Sequence, residues 1–134
     1  MRKKDPIEEA RRYVDNARET LSEKGDYNSS TKRYEDPKYV RTAGHYLWHA
    51  VLMAVDTVFH VREDRRTRVD INDYLKAIAK RDHKLLGWVD DGYSVTHLYM
   101  GYDGVQDKKI CDRGIQLTLQ IIDRCAMMRP HLAS

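Results

Sequence analysis

The chain predicts an all-α fold: an antiparallel up-down four-helix bundle whose third helix is broken. Three observations carry that expectation. Two Asp-Pro pairs, Asp5-Pro6 and Asp36-Pro37, each open a long stretch in which apolar residues recur at three and four. Asp is a strong N-cap because its carboxylate accepts a hydrogen bond from an orphan backbone N–H. Pro suits the first helical position, where its missing donor would be unpaired in any case. Two further stretches keep helical phase towards the C-terminus, and only three Pro and seven Gly among 134 residues argue against an all-β or disordered chain.

The first helix is expected over 6–24. Asp5 caps it, and Glu8 stands at the capping-box position. Ile7, Ala10, Val14, Ala17 and Leu21 form one narrow apolar stripe, and Gly25 is placed to end the helix as its C′ residue. The polar connection from Gly25 to Asp36 is long for a helix–helix link and reads as a mobile surface loop. Tyr27, Arg33 and Tyr34 are the residues a binding loop would use there.

The second helix is expected over 37–62. Val40, Ala43, Leu47, Val51, Ala54, Val58 and Val61 fall on one side, and Trp48, Val55 and Phe59 widen it. A face that broad touches more than one neighbour. Gly44 and the alanines allow close backbone approach. Asp70 caps the third helix, expected over 70–101, in which Ile71, Leu75, Ile78, Leu85, Val89, Tyr93, Thr96 and Met100 stay in phase. One rod from 71 to 101 would be roughly 46 Å long, against roughly 39 Å for the second helix. The mismatch predicts a break near Asp82-His83, with Asp82 capping the second segment. Gly101 to Gly104 then turns. Asp103 and Gln106 have capping-box spacing, so the fourth helix is expected over 104–129, ended by Pro130. Its inward residues are Cys111, Ile115, Thr118, Ile122 and Cys125. The chain reads as one domain, 1–134, with a core around Val14, Leu47, Val51, Ile78, Val89, Ile115 and Ile122.

Composition narrows function. Lys and Arg exceed Asp and Glu by only three, which implies no particular partner. No apolar run approaches the roughly 18 residues of a membrane span. Cys111 and Cys125 are separated by fourteen residues of one helix, roughly 21 Å, too far to bridge. Free thiols on a core face point to a reducing, cytoplasmic setting.

His45, His49, Asp56 and His60 lie within a stripe of roughly 60° on the second helix. His45 and His49, at i and i+4, could share a metal ion. Asp56 is roughly 10 Å further along the axis than His49, so one ion cannot use both ends. The stripe opposes the apolar face and reads as solvated or dimer-facing, with no metal and no cofactor expected. The turn from Arg62 to Arg68 gathers basic residues with Arg2, Lys3, Lys4, Arg124 and Arg129. Nearby acids, among them Asp5, Glu8, Glu9, Asp70 and Asp123, nearly cancel them. A nucleic-acid backbone needs surplus positive charge. Trp88, Tyr93, Tyr99 and Tyr102 read as core or interface aromatics. No P-loop, dinucleotide glycine pattern, CxxC pair or nucleophile elbow is present.

The order of segments carries a resemblance. A capped first helix leads to Tyr39-Val40-Arg41-Thr42-Ala43-Gly44-His45-Tyr46-Leu47-Trp48-His49-Ala50. A broken third helix then ends Leu98-Tyr99-Met100-Gly101-Tyr102-Asp103-Gly104, ahead of an apolar fourth. This layout resembles the HEPN-like bundles, particularly a small bacterial branch. The resemblance implies a four-helix bundle, often homodimeric, that serves either as an RNase of toxin systems or as a non-catalytic binding module. Its RNases share an Arg followed at four to six residues by His, near the start of the last helix. Here that region reads Asp107-Lys108-Lys109-Ile110-Cys111-Asp112-Arg113-Gly114 and lacks the His. Arg124 and His131 match the spacing but straddle Pro130. The expectation is therefore a cytoplasmic, non-catalytic interaction module, homodimeric through Trp48, Phe59 and Trp88. The enzyme alternative is an endoribonuclease using Arg124 and His131; the ligand alternative is a metal site at His45 and His49.

Overall fold

The computed structural model describes residues 5–62 and 68–129. The chain is mostly helical with one small two-stranded sheet. Helix α1 spans Pro6–Lys24, and the Asp5 carboxylate accepts from the Ile7 amide at 2.9 Å. Helix α2 spans Pro37–Phe59, capped by Asp36, which accepts from the Lys38 amide at 3.1 Å. Both Asp-Pro pairs therefore start helices as expected. The Arg129 guanidinium at the far end of the chain donates to Asp5, holding that carboxyl below its ordinary range and tying the last helix to the start of the first.

Helix α2 is central. It packs against α1, against the last helix and against the segment that precedes it. Val40, Ala43, Leu47, Ala50, Val51, Ala54 and Val55 are all fully buried. The helix ends three residues earlier than its apolar pattern predicts. His60 takes a left-handed conformation (φ 50°), and the Asp56 carboxylate accepts from the Arg62 amide at 3.1 Å, which turns the chain away. The other Asp56 oxygen accepts from the Tyr74 hydroxyl at 2.8 Å. Asp56 is thus a half-buried fastener and not part of a solvated stripe.

The predicted break in the third helix is present, at 80–82, and the piece after it changes its winding part-way. Helix α3 spans Ile71–Ala79, with a reciprocal capping box between Asp70 and Asp73. Helix α4 spans His83–Gly92, and the Asp82 carboxylate accepts from the Leu85 amide at 3.0 Å. From Tyr93 to Tyr102 the chain continues as a ten-residue π-helix, a wider winding than the α-helix that phase alone predicted. Ile78, Leu85, Val89, Thr96 and Met100 are buried as expected.

Helix α5 spans Lys108–Met128, four residues later at its start than predicted. Its cap is Asp107, which accepts from the Lys109 amide at 2.8 Å. The Asp103/Gln106 capping box does not form, because Gln106 is used elsewhere: its amide donates to the carbonyls of Tyr34 and Glu35 at 2.9 and 3.2 Å. Ile115, expected in the core, is half-buried. The buried place beside it belongs to Gly114, where an added Cβ would come within 2.8 Å of Met100 Sδ. Cys111 and Cys125 are buried free thiols, and burial raises both to about 12.

The 25–36 connection is the clearest departure. It forms an antiparallel pair, β1 (Tyr27–Asn28) and β2 (Arg33–Tyr34), with Tyr27 opposite Tyr34. Asn28 Oδ1 accepts from the amides of Ser30 and Thr31, closing the turn. The Tyr34 amide donates to Gln106 at 2.9 Å, and the Lys108 amide donates to Lys32 at 3.1 Å. The connection is therefore fastened to the lead-in of α5 and is not a loose loop. Gly25 keeps a helical φ of −69°, and the left-handed residues of the connection are Asp26 and Lys32. What Gly25 supplies is space: an added Cβ would lie 2.7 Å from the buried Tyr34 ring.

Candidate functional site

Of the glycines, Gly44 has the closest neighbour to an added Cβ, at the point where α2 crosses the π segment. A Cβ on Gly44 would fall 2.4 Å from the Gly101 amide nitrogen, 2.6 Å from the Thr96 carbonyl oxygen and 2.7 Å from Met100 Cβ. The two backbones are in contact there, and only glycine fits. Thr96 is buried in the crossing and returns its hydroxyl proton to the Gly92 carbonyl at 2.7 Å.

Beside that contact the two elements present a set of aromatic and imidazole rings. Trp48 packs edge-on to Tyr93 at 5.3 Å and against His97 at 5.9 Å, and Tyr93 stacks on His97 at 5.2 Å. His45, one turn before Trp48, lies over Gly101: a Cβ there would be 3.5 Å from His45 Nδ1 and 3.6 Å from Cε1. Arg41, one turn earlier again, donates to the Tyr102 carbonyl at 3.4 Å and lies against Gly104. Among the described residues, His97 Nδ1 is the buried side-chain polar atom without a hydrogen-bond partner. Burial, with the neighbouring His45 adding to it, pushes the His97 pKa down and favours its neutral form.

The residues singled out from sequence are distributed as follows. His45 is exposed and borders this ring set, whereas His49 turns to α1 and meets Tyr13 edge-on at 4.8 Å. The two imidazoles have different neighbours, and among the described residues no group of three or more His, Cys, Asp or Glu is placed to hold a metal. Trp48, Phe59 and Trp88 are each half-buried against the core. The Arg81 guanidinium lies 5.1 Å over Phe59, and the Lys84 ammonium 5.3 Å over Trp88. Arg124 donates to Asp82 at 2.8 Å, so it fastens the cap of α4 to α5. Its guanidinium is the main cause of the lowered Asp82 pKa. His131 and Pro130 lie outside the described residues, as do Arg2, Lys3, Lys4 and 63–67 of the basic turn. Sequence reasoning did not single out His97. Its spacing from Tyr93 was visible, but its approach to Trp48 and His45 depends on how two distant segments cross. Tyr99 and Tyr102 are exposed, and Tyr102 is the more so, at 77%. No described helix is long and apolar enough to cross a membrane.

These features define a mostly helical domain whose central helix meets a π-helical neighbour in backbone contact. The chain belongs to the family described as domain of unknown function (DUF5618), which matches residues 5–127. It is similar to the solved structure of a protein of unknown function from Dyadobacter fermentans. The two are 35% identical, the likeness covers 91% of this chain and 94% of that one, and the TM-score is 0.83. No curated protein matches the chain.

Proposed function

We propose that this protein is a non-catalytic, HEPN-like four-helix interaction module, a cytoplasmic bacterial protein that acts as a homodimer. In this reading α1, α2, the α4–π rod and α5 are the four helices, and α3 is a short arm before the third. The observation that carries it is the state of the large aromatics. The interior of α2 is already filled on three sides, yet Trp48, Phe59 and Trp88 remain half-buried at the surface. Aromatic residues are enriched at interface centres. The nuclease alternative loses support from Arg124, which is engaged by the Asp82 carboxylate. A general base must also come within hydrogen-bond reach of the hydroxyl it activates.

Sedimentation equilibrium at micromolar concentration tests the module. A dimer that weakens in Trp88→Ala is the expected result, and monomer throughout would remove it. Incubation with single-stranded RNA tests the enzyme alternative. Cleavage lost in both Arg124→Ala and His131→Ala would replace the module with a nuclease.

A further inference from the structure

The geometry points to a two-imidazole site, His45 from α2 and His97 from the π segment, that takes a divalent first-row transition ion such as Cu²⁺ or Zn²⁺. Four observations converge on it. His97 Nδ1 is a buried ring nitrogen without a hydrogen-bond partner, an arrangement that buried polar groups seldom keep unless a partner supplies the missing interaction. Its ring packs against both Tyr93 and Trp48, at 5.2 and 5.9 Å. The facing helix α2 brings His45 to the same crossing. It packs on Gly101, four residues after His97 in the π segment, and stands one turn before Trp48, whose ring lies 5.9 Å from His97. His45 is also exposed, so its ring can adjust to an ion without disturbing the core.

Neutral imidazole suits Zn²⁺, Cu²⁺ and Ni²⁺ better than Mg²⁺ or Ca²⁺, which prefer oxygen ligands. Two protein ligands leave coordination positions for solvent, unlike the four-ligand shell of a structural zinc site. The ion at this site is therefore exchangeable, and the fold does not depend on it. The i, i+4 partner suggested by sequence, His49, is not part of the site, because Tyr13 holds its ring on the α1 side of α2.

Fluorescence separates the two pairings. Trp48 lies against His97, and a bound Cu²⁺ ion quenches an adjacent indole. In a Trp88→Phe background, Trp48 is the sole tryptophan. Titration with Cu²⁺ is expected to quench it saturably at one ion per chain. His45→Ala and His97→Ala should each weaken the apparent affinity by tenfold or more, and His49→Ala should leave it unchanged. Circular dichroism checks that each variant is folded. Because His45 is exposed, its variant decides the matter even where His97→Ala perturbs the π segment. Quenching that survives His45→Ala, quenching abolished by His49→Ala, or no saturable quenching at all would overturn the site.

Discussion

Gly44→Ala sets two well-measured effects against each other at one atom. In the interior of an α-helix, alanine is favoured over glycine by about 1 kcal/mol, because glycine loses more backbone freedom on folding. Position 44 lies inside α2, so local propensity predicts stabilisation. The tertiary contact predicts the opposite. The new Cβ would sit 2.4 Å from the Gly101 nitrogen and 2.6 Å from the Thr96 oxygen, whereas non-bonded carbon contacts settle at about 3.5–4.0 Å. Both of those neighbours are backbone atoms, which no rotamer change can remove. The π segment must move away from α2 by about an ångström, and overpacking of this kind costs typically about 1–3 kcal/mol. With backbone on both sides the upper end applies, so the net expectation is a loss of about 2 kcal/mol. Gly87→Ala is the control. It lies inside α4, is exposed and has nothing within 4 Å of an added Cβ, so it should gain about 0.5–1 kcal/mol. Urea melts should therefore separate the two variants by roughly 3 kcal/mol, a difference of about 10 °C in thermal midpoint. Gly44→Ala melting at or above the wild type, with Gly87→Ala behaving as stated, would refute the backbone contact between α2 and the π segment.

Other perturbations follow from particular contacts. Leu47 is fully buried on the inner face of α2, so Leu47→Ala should cost about 2–5 kcal/mol in denaturant melts, and a loss below about 0.5 kcal/mol would exclude it from the core. Asp82→Ala removes the α4 N-cap and should cost about 0.5–2 kcal/mol for the cap alone. The Asp82 pKa is depressed in the folded state, chiefly by Arg124. Its contribution is therefore complete above the unfolded value near 3.8 and is lost as pH falls through the folded value. Stability of the wild type should drop more steeply than that of Asp82→Asn across that acid range, as read by circular dichroism at stepped pH. Tyr74→Phe removes the hydroxyl that donates to Asp56 and should cost about 1.5–3 kcal/mol, since the acceptor is charged and half-buried. Cys111 and Cys125 should resist a thiol reagent in the native protein and react on unfolding, because burial holds both as thiols to about pH 12.

The sequence by itself determined where four of the helices begin and most of the residues they bury. Asp5, Asp36, Asp70 and Asp82 all cap helices, and each does so through a carboxylate and a backbone amide a few residues away. Such contacts are local, so residue type and spacing are enough to reveal them. The stripes through Val14, Leu47, Val51, Ile78, Val89 and Ile122 were legible for the same reason: periodicity records burial on one side of a single element. What the tertiary structure decided lies between elements. The π winding of 93–102 keeps nearly the same apolar residues inward as an α-helix would, so its phase gave no warning; the contact of Gly44 with Gly101 and Thr96 distinguishes it. Gln106 has the spacing of a capping residue, but it bonds a hairpin more than seventy positions earlier. Arg124 pairs by spacing with His131, whereas in space its guanidinium meets Asp82, forty-two positions earlier. His45 pairs by spacing with His49 and in space with the neighbourhood of His97. A side chain's partner across a crossing depends on the angle and depth at which two helices meet. That geometry is fixed by the summed packing of both surfaces, and no short stretch of either one encodes it.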